Sequence, residues 1–336
     1  MTEIIRKLCT IDGTSGDERT VRDFIINEIK DYCEYRVDNL GSIIAFKKGE
    51  KTPCRKIMLD AHTDEVGLII TNITADGFLK FQTVGGIDTA VLTNRRVVIN
   101  GKTAGVIGMK PVHLSKGDEA KKLPKADSLY IDIGAKTREE AEKEIMIGDC
   151  GVIASDFTIC GDKILSKALD DRVGCAILIN LIKNYNQYDF YAVFSTQEEV
   201  GLRGAKAATF AVDPESAIVL EGTTAADIAG VAEEKRVCKL GGGAAVSFMD
   251  RATLYDKEYY NAALSSGIKC QPKAAVSGGN NSGAVHLSGG GVRTVAVSVP
   301  CRYIHSASSV CDINDINSAC LLAEYLLTGI ANGEIK

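Results

Sequence analysis

The sequence predicts an α/β fold: a mostly parallel sheet sandwiched by helices, with a β-rich domain inserted into it. Three observations carry that expectation. From about residue 160 onward, short apolar runs alternate with helical patterns, the arrangement that a parallel sheet covered by helices requires. Between Val66 and Ile159 the texture changes to short alternating strands separated by turn signals such as Ala75-Asp76-Gly77, Asn100-Gly101 and Gly134. Ionisable residues then collect just after the apolar runs, at the edge where open α/β sheets hold ligands. At 336 residues the chain exceeds what one core usually serves, so two units are expected. One comprises residues 1–66 and 160–336, and the other is the insertion 67–159.

The first helix is read from Ser15, which with Glu18 makes a capping box, followed by Val21, Phe24, Ile25 and Ile29 on one face. Strands follow at 42–46 and 56–59, the second stopping at AHTDEVG. The insertion carries one short helical stretch near 137–145. Beyond it the pattern reads helix 170–183, strand 190–195, helix 204–212, strand 217–220, strand 292–299 and helix 313–330.

Composition narrows the class. No apolar run approaches the ~18 residues that span a bilayer, and the first residues lack a signal-like apolar stretch, so a cytoplasmic protein with no membrane partner is expected. Eleven cysteines, odd in number and without a CxxC pair, do not form a disulfide framework and read as small buried hydrophobes. A net charge of −5 with no basic stripe argues against nucleic acid as a partner.

His62 and Asp64 follow strand 56–59, Glu198 and Glu199 follow 190–195, Glu221 follows 217–220, and His305 follows 292–299. Asp170 and Asp171 open a helix. Each has an ordinary explanation on its own: a hydrogen-bonded histidine, a solvated glutamate pair, a helix N-cap. Gathered at one sheet edge, they would repel one another and lose hydration unless a cation sat among them. Imidazole with carboxylate suits zinc, cobalt or manganese.

Five segments in order, AHTDEVG at 61–67, KALDDRVG at 167–174, STQEEVG at 195–201, AIVLEGTTAAD at 217–227 and RYIHS at 302–306, resemble the M42 metallo-aminopeptidases, the glutamyl and tetrahedral aminopeptidase group. The resemblance implies a zinc-peptidase-like catalytic domain, an inserted oligomerisation domain and two divalent metal ions per subunit. Asp170 would bridge the ions, with His62 and Glu221 on one and Glu199 and His305 on the other. Asp64 would orient the His62 ring, and Glu198 would be the general base. Implied partners are peptides with a free N-terminus, acidic residues favoured, and further copies of the chain, as a dimer or a dodecamer. Two departures stand out. Where many members carry an aspartate in a GGTDAG-like segment, this chain has Ser277-Gly278-Gly279-Asn280-Asn281-Ser282-Gly283, so a charge is missing, and Glu221 stands where many have aspartate. His113, in Lys110-Pro111-Val112-His113, reads as structural or interfacial, and His286 as structural. The alternatives are a metal-independent, cellulase-like glycoside hydrolase, which needs only paired carboxylates, and a non-catalytic assembly protein.

Overall fold

The computed structural model of the chain describes residues 1–111, 113, 124–276 and 278–336; Val112 and Ser277, named above, lie outside the described residues. The large sheet is decided by strands that bury both faces. Met58, Val193, Ala217 and Val219 pack on a thin layer formed by helices Arg203–Val212 and Ser282–Val285. Their alternate neighbours Ile57, Leu59, Ala192, Phe194, Ile218 and Leu220 pack on a thick layer of helices that includes Leu169–Asn184 and Ile313–Ala331. Because successive side chains point to opposite faces, two-sided burial produces the continuous apolar runs seen in the sequence.

The fold is α/β, but the sheet is mixed rather than mostly parallel. Only the four central strands of its main path run parallel: Phe190–Ser195, Ile57–His62, Ser216–Thr224 and Arg293–Arg302, in that spatial order. Antiparallel partners flank them, Ile43–Lys47 and Glu34–Val37 on one side and Ser309–Asp312, Lys163–Ser166 and Thr158–Cys160 on the other. The flanks join the sheet largely through pairings between distant segments, such as Ile43–Lys47 with Phe190–Ser195 and Lys163–Ser166 with Ser309–Asp312, which an alternation of strand and helix signals does not register.

Two early readings are corrected. A helix, Thr2–Thr10, precedes the one expected to be first, burying Ile5 and Leu8. The next helix is Arg19–Ile29, and Ser15 does not cap it. Ser15 Oγ instead donates to Asp64 Oδ2 at 2.6 Å. Glu18 takes the cap position, its carboxylate accepting from the N–H groups of Gly16 and Gln197.

Between His62 and Asp170, six strands close into a barrel ordered Gly67–Ile73, Leu79–Val84, Tyr130–Asp132, Thr103–Gly108, Arg96–Ile99 and Cys150–Ile153. It has its own core, with Leu68, Ile70, Phe81, Val97, Ile99 and Ile131 fully or almost fully buried. Asn100 and Gly101, both at positive φ, turn one of its hairpins. At the base of the barrel, Glu65 accepts from Lys167 Nζ at 2.6 Å and from Arg172 at 3.3 Å, anchoring the entry to the barrel on the large sheet's helices. No described helix is long and apolar enough to cross a membrane. All eleven cysteines are free, and six of them are buried.

Candidate metal centre

The carboxyl edge of the four parallel strands gathers the expected residues. His62 is the last residue of its strand rather than one that follows it, and lies in register with Ser195. Glu221 likewise sits inside its strand, two residues beyond Val219 and on the same, thin-layer face. Glu198 and Glu199 follow Ser195 on a loop, and His305 lies on the loop after Arg302. Asp170 and Asp171 fall within the helix Leu169–Asn184 but have non-helical backbone angles. The chain turns sharply around the cluster, since Ala168, Gln197 and His305 all have positive φ. Non-glycine residues held there are uncommon and gather at functional sites.

Asp170 stands between the two histidines. Its Oδ1 is 3.5 Å from His62 Nε2 and its Oδ2 is 3.7 Å from His305 Nε2. Glu221 Oε2 lies 3.7 Å from His62 Nε2, and Glu199 Oε1 lies 3.1 Å from His305 Nε2. Gly222 N–H donates to Asp170 Oδ1 at 3.2 Å, and a side chain at Gly222 would collide with the Asp170 backbone. Glu198 Oε2 is 4.0 Å from His62 Nε2, near the cluster but off its axis.

One member was not singled out as a ligand from sequence. Asp171, His62 and Glu221 offer ligand atoms within 4.8 Å of one another, as do His62, Asp170 and Glu199. Asp171 also caps the regular helix, its Oδ1 accepting from Gly174 N–H at 3.0 Å. The capping role and the cluster role share one residue.

Asp64 is fully buried behind the centre. Its carboxylate accepts from the backbone N–H groups of Glu198 and Glu199, at 3.0 and 3.1 Å, and lies 3.4 Å from His62 Nδ1. The closer partner of His62 Nδ1 is the Asp64 carbonyl oxygen, at 3.1 Å. Asp64 thus fixes the backbone of both glutamates as well as the ring. The glycine-rich loop lacks the charge, as its sequence says, and Asn281 instead meets a carboxyl inside the fold. Asn281 Nδ2 donates at 2.7 Å to Asp60 Oδ2, a wholly buried carboxylate that sequence reasoning missed. His113 is exposed, and His286 Nδ1 contacts its own turn at Ser282 O, 2.7 Å away.

The charges ask for a cation. Burial would lower both histidines, yet Asp170 and Asp64 hold His62 well above its ordinary value, and Asp170 and Glu199 raise His305 to about 11. Asp170 is held low by the two histidines against the effect of burial. Burial drives Glu221 and Asp171 well up, and lifts Glu198 to about 8 against the pull of His62. Histidines that gain protons beside carboxyls that resist losing them mark a shortage of positive charge. Glu199 Oε1 and Asp171 Oδ2 are buried without a hydrogen-bond partner, the former despite its short approach to His305. Imidazole nitrogens, carboxylate oxygens and these orphaned acceptors fit divalent metal ions.

The cluster lines a cleft of about 840 Å³, whose lining also includes Arg251, Lys273 and Gly278–Asn280. Lys273 is only 7% exposed. No described side chain pairs with it or with Arg251. Asp227, by contrast, is neutralised by Arg302 through two contacts, at 2.7 and 2.8 Å.

The family model of the M42 glutamyl aminopeptidases matches residues 41–322. The lysyl aminopeptidase of Pyrococcus furiosus is 31% identical, covering 97% of this chain and 96% of its own. The TET1 peptidase of Pyrococcus horikoshii, described as able to assemble into a tetrahedron or a large octahedral shell, superposes with a TM-score of 0.85 at 34% identity, covering 97% and 98%. A Thermotoga maritima structure named an endoglucanase superposes at 0.82 with 32% identity, covering 99% of each chain.

Proposed function

This chain belongs to the M42 glutamyl aminopeptidase family and is a peptide hydrolase, and on that premise we propose a two-metal aminopeptidase that removes single residues from free peptide N-termini. The observation that carries the reading is Asp170, whose two oxygens face the two histidines separately. His62 and Glu221 would hold one ion and Glu199 and His305 the other, with zinc, cobalt or manganese matching the donor set. Bound there, the ions would polarise the scissile carbonyl and make water acidic enough to attack it. Glu198 takes the water's proton on its carboxylate and returns it to the departing amine nitrogen. Asp64 holds Glu198 in place through the backbone hydrogen bond and keeps the His62 ring oriented.

Glu198→Gln keeps size and loses the proton acceptor. Turnover should fall by ~10²–10⁴-fold with metal content, read by atomic emission, unchanged. Glu199→Gln should lower metal and activity together. A metal-loaded Glu198→Gln enzyme with near-normal turnover would sink the mechanism.

Lys273 and Arg251, unpaired in the lining of the same cleft, support a preference for acidic N-terminal residues. The relative named a lysyl aminopeptidase shows that the family alone does not fix the residue chosen. A glycoside hydrolase, suggested by the endoglucanase name of one similar structure, would need only two carboxylates and would leave His62 and His305 without a task. Self-assembly is proposed from the TET1 likeness and from Met146 and Ile147, 70% and 63% exposed beside the barrel. A stable monomer in light scattering of metal-replete protein would remove that part.

A further inference from the structure

Asp60 and Asn281 lie outside the ligand set and are 0% exposed, as is Ser195 between them. Asp60 precedes His62 by two residues on the same strand and the same face, and Ser195 ends the adjacent strand in register with His62. Asn281, just before the short helix Ser282–Val285, reaches both. Its amide donates one hydrogen to Asp60 Oδ2 at 2.7 Å and the other to Ser195 Oγ at 2.8 Å. Its backbone N–H donates to Glu221 Oε1 at 3.3 Å, while the other oxygen, Oε2, is the one near His62.

We propose that Asn281 is a positioning residue for Glu221: its amide, clamped between Asp60 and Ser195, fixes the backbone N–H that aims the Glu221 carboxylate at the His62 half of the metal centre. The clamp requires a donor at one position and an acceptor at the other. A carboxylate can only accept, so Asp60 needs a donor opposite, and Asn281 supplies one. Replacing Asn281 with aspartate removes both amide hydrogens, so Asp60 Oδ2 and Ser195 Oγ each lose a donor and the loop beside Glu221 loses its clamp. Exchanging the pair, Asp60→Asn with Asn281→Asp, reverses the hydrogen bond, and Ser195 can turn its hydroxyl hydrogen from the Ala61 carbonyl oxygen to the new carboxylate. Position, rather than the identity of either residue, is what the centre needs.

The inference rests on Glu221 being a metal ligand, and the wild type separates the two questions. Metal-stripped protein titrated calorimetrically with zinc should bind two ions; if it binds none, the ligand assignment fails before any variant is compared. In Asn281→Asp, one of the two binding steps should weaken by ~10–100-fold while the other is kept, and the exchanged double variant should return to within about threefold of wild type. Near-UV circular dichroism of the stripped proteins monitors the fold. Wild-type zinc binding by the single variant would overturn the proposal. So would weakened binding in a folded double variant, since a general packing defect would not be repaired by reversing one hydrogen bond. If the single variant does not fold, the double variant decides: folded with restored binding supports the clamp, and any other result overturns it.

Discussion

The two halves of the metal centre are built by different means. His62 is 1% exposed, ends a central strand, and rests its Nδ1 on the carbonyl of Asp64, two residues away. His305 is 32% exposed, sits on a loop at positive φ, and rests its Nδ1 on Gly86 O, 3.0 Å away in the connection between barrel strands Leu79–Val84 and Arg96–Ile99. One half is a by-product of the sheet. The other exists only while a loop of the large sheet and the barrel stay in contact. On the two-ion reading proposed above, a rigid half and a dependent half, joined through Asp170, should not hold their ions alike.

The largest effect that would break this comparison comes from His62. His62→Ala removes a ligand and leaves Asp170 and Glu221 buried without the charge that balances them, so the metal-free protein should lose about 3–5 kcal/mol as well as nearly all activity. His305→Ala should cost about 1 kcal/mol or less in the metal-free protein, because the ring is partly solvated, while still releasing one ion. Denaturant melts of the stripped variants with metal counts on the loaded ones check both; equal destabilisation would refute the division into rigid and dependent halves. A smaller effect concerns the cleft lining. Lys273→Met should leave hydrolysis of leucyl substrates near wild type and lower glutamyl turnover, shifting their ratio by ~10–100-fold, as expected when a buried cation loses its role in recognition. An unchanged ratio would remove Lys273 from substrate selection.

Much of this could be read beforehand for a physical reason. Strands buried on both faces leave unbroken apolar runs, so their carboxyl ends, and the His62, Glu198, Glu199 and Glu221 that stand there, can be located by counting. What escaped depends on contacts between distant residues. Ser15 looked like a cap because its local spacing fitted one, yet its hydroxyl is taken by Asp64. Asp60 lies just past the strand read at 56–59 and drew no reading of its own, and only the approach of Asn281 from across the fold shows why a carboxyl can be buried there. Asp171 stands among the gathered acids in the sequence without a role of its own, although its second oxygen lies unpartnered in the cluster. The antiparallel flanks are not legible because they pair segments far apart in the chain, and such pairing is written in registers, not in composition.

The position of the barrel in the chain has a consequence for synthesis. Its strands are contiguous from Gly67 to Ile153 and satisfy one another, whereas strand Ile57–His62 must wait for partners beginning at Phe190 and Ser216. Local pairings form early, and distant ones only after the intervening chain has emerged. On the ribosome the barrel can therefore fold while the His62 strand is still unpaired, and His305, the last of the clustered residues to be translated, closes the site. A nascent chain of this hydrolase holds no complete centre with which to attack the proteins around it until its final segments leave the exit tunnel.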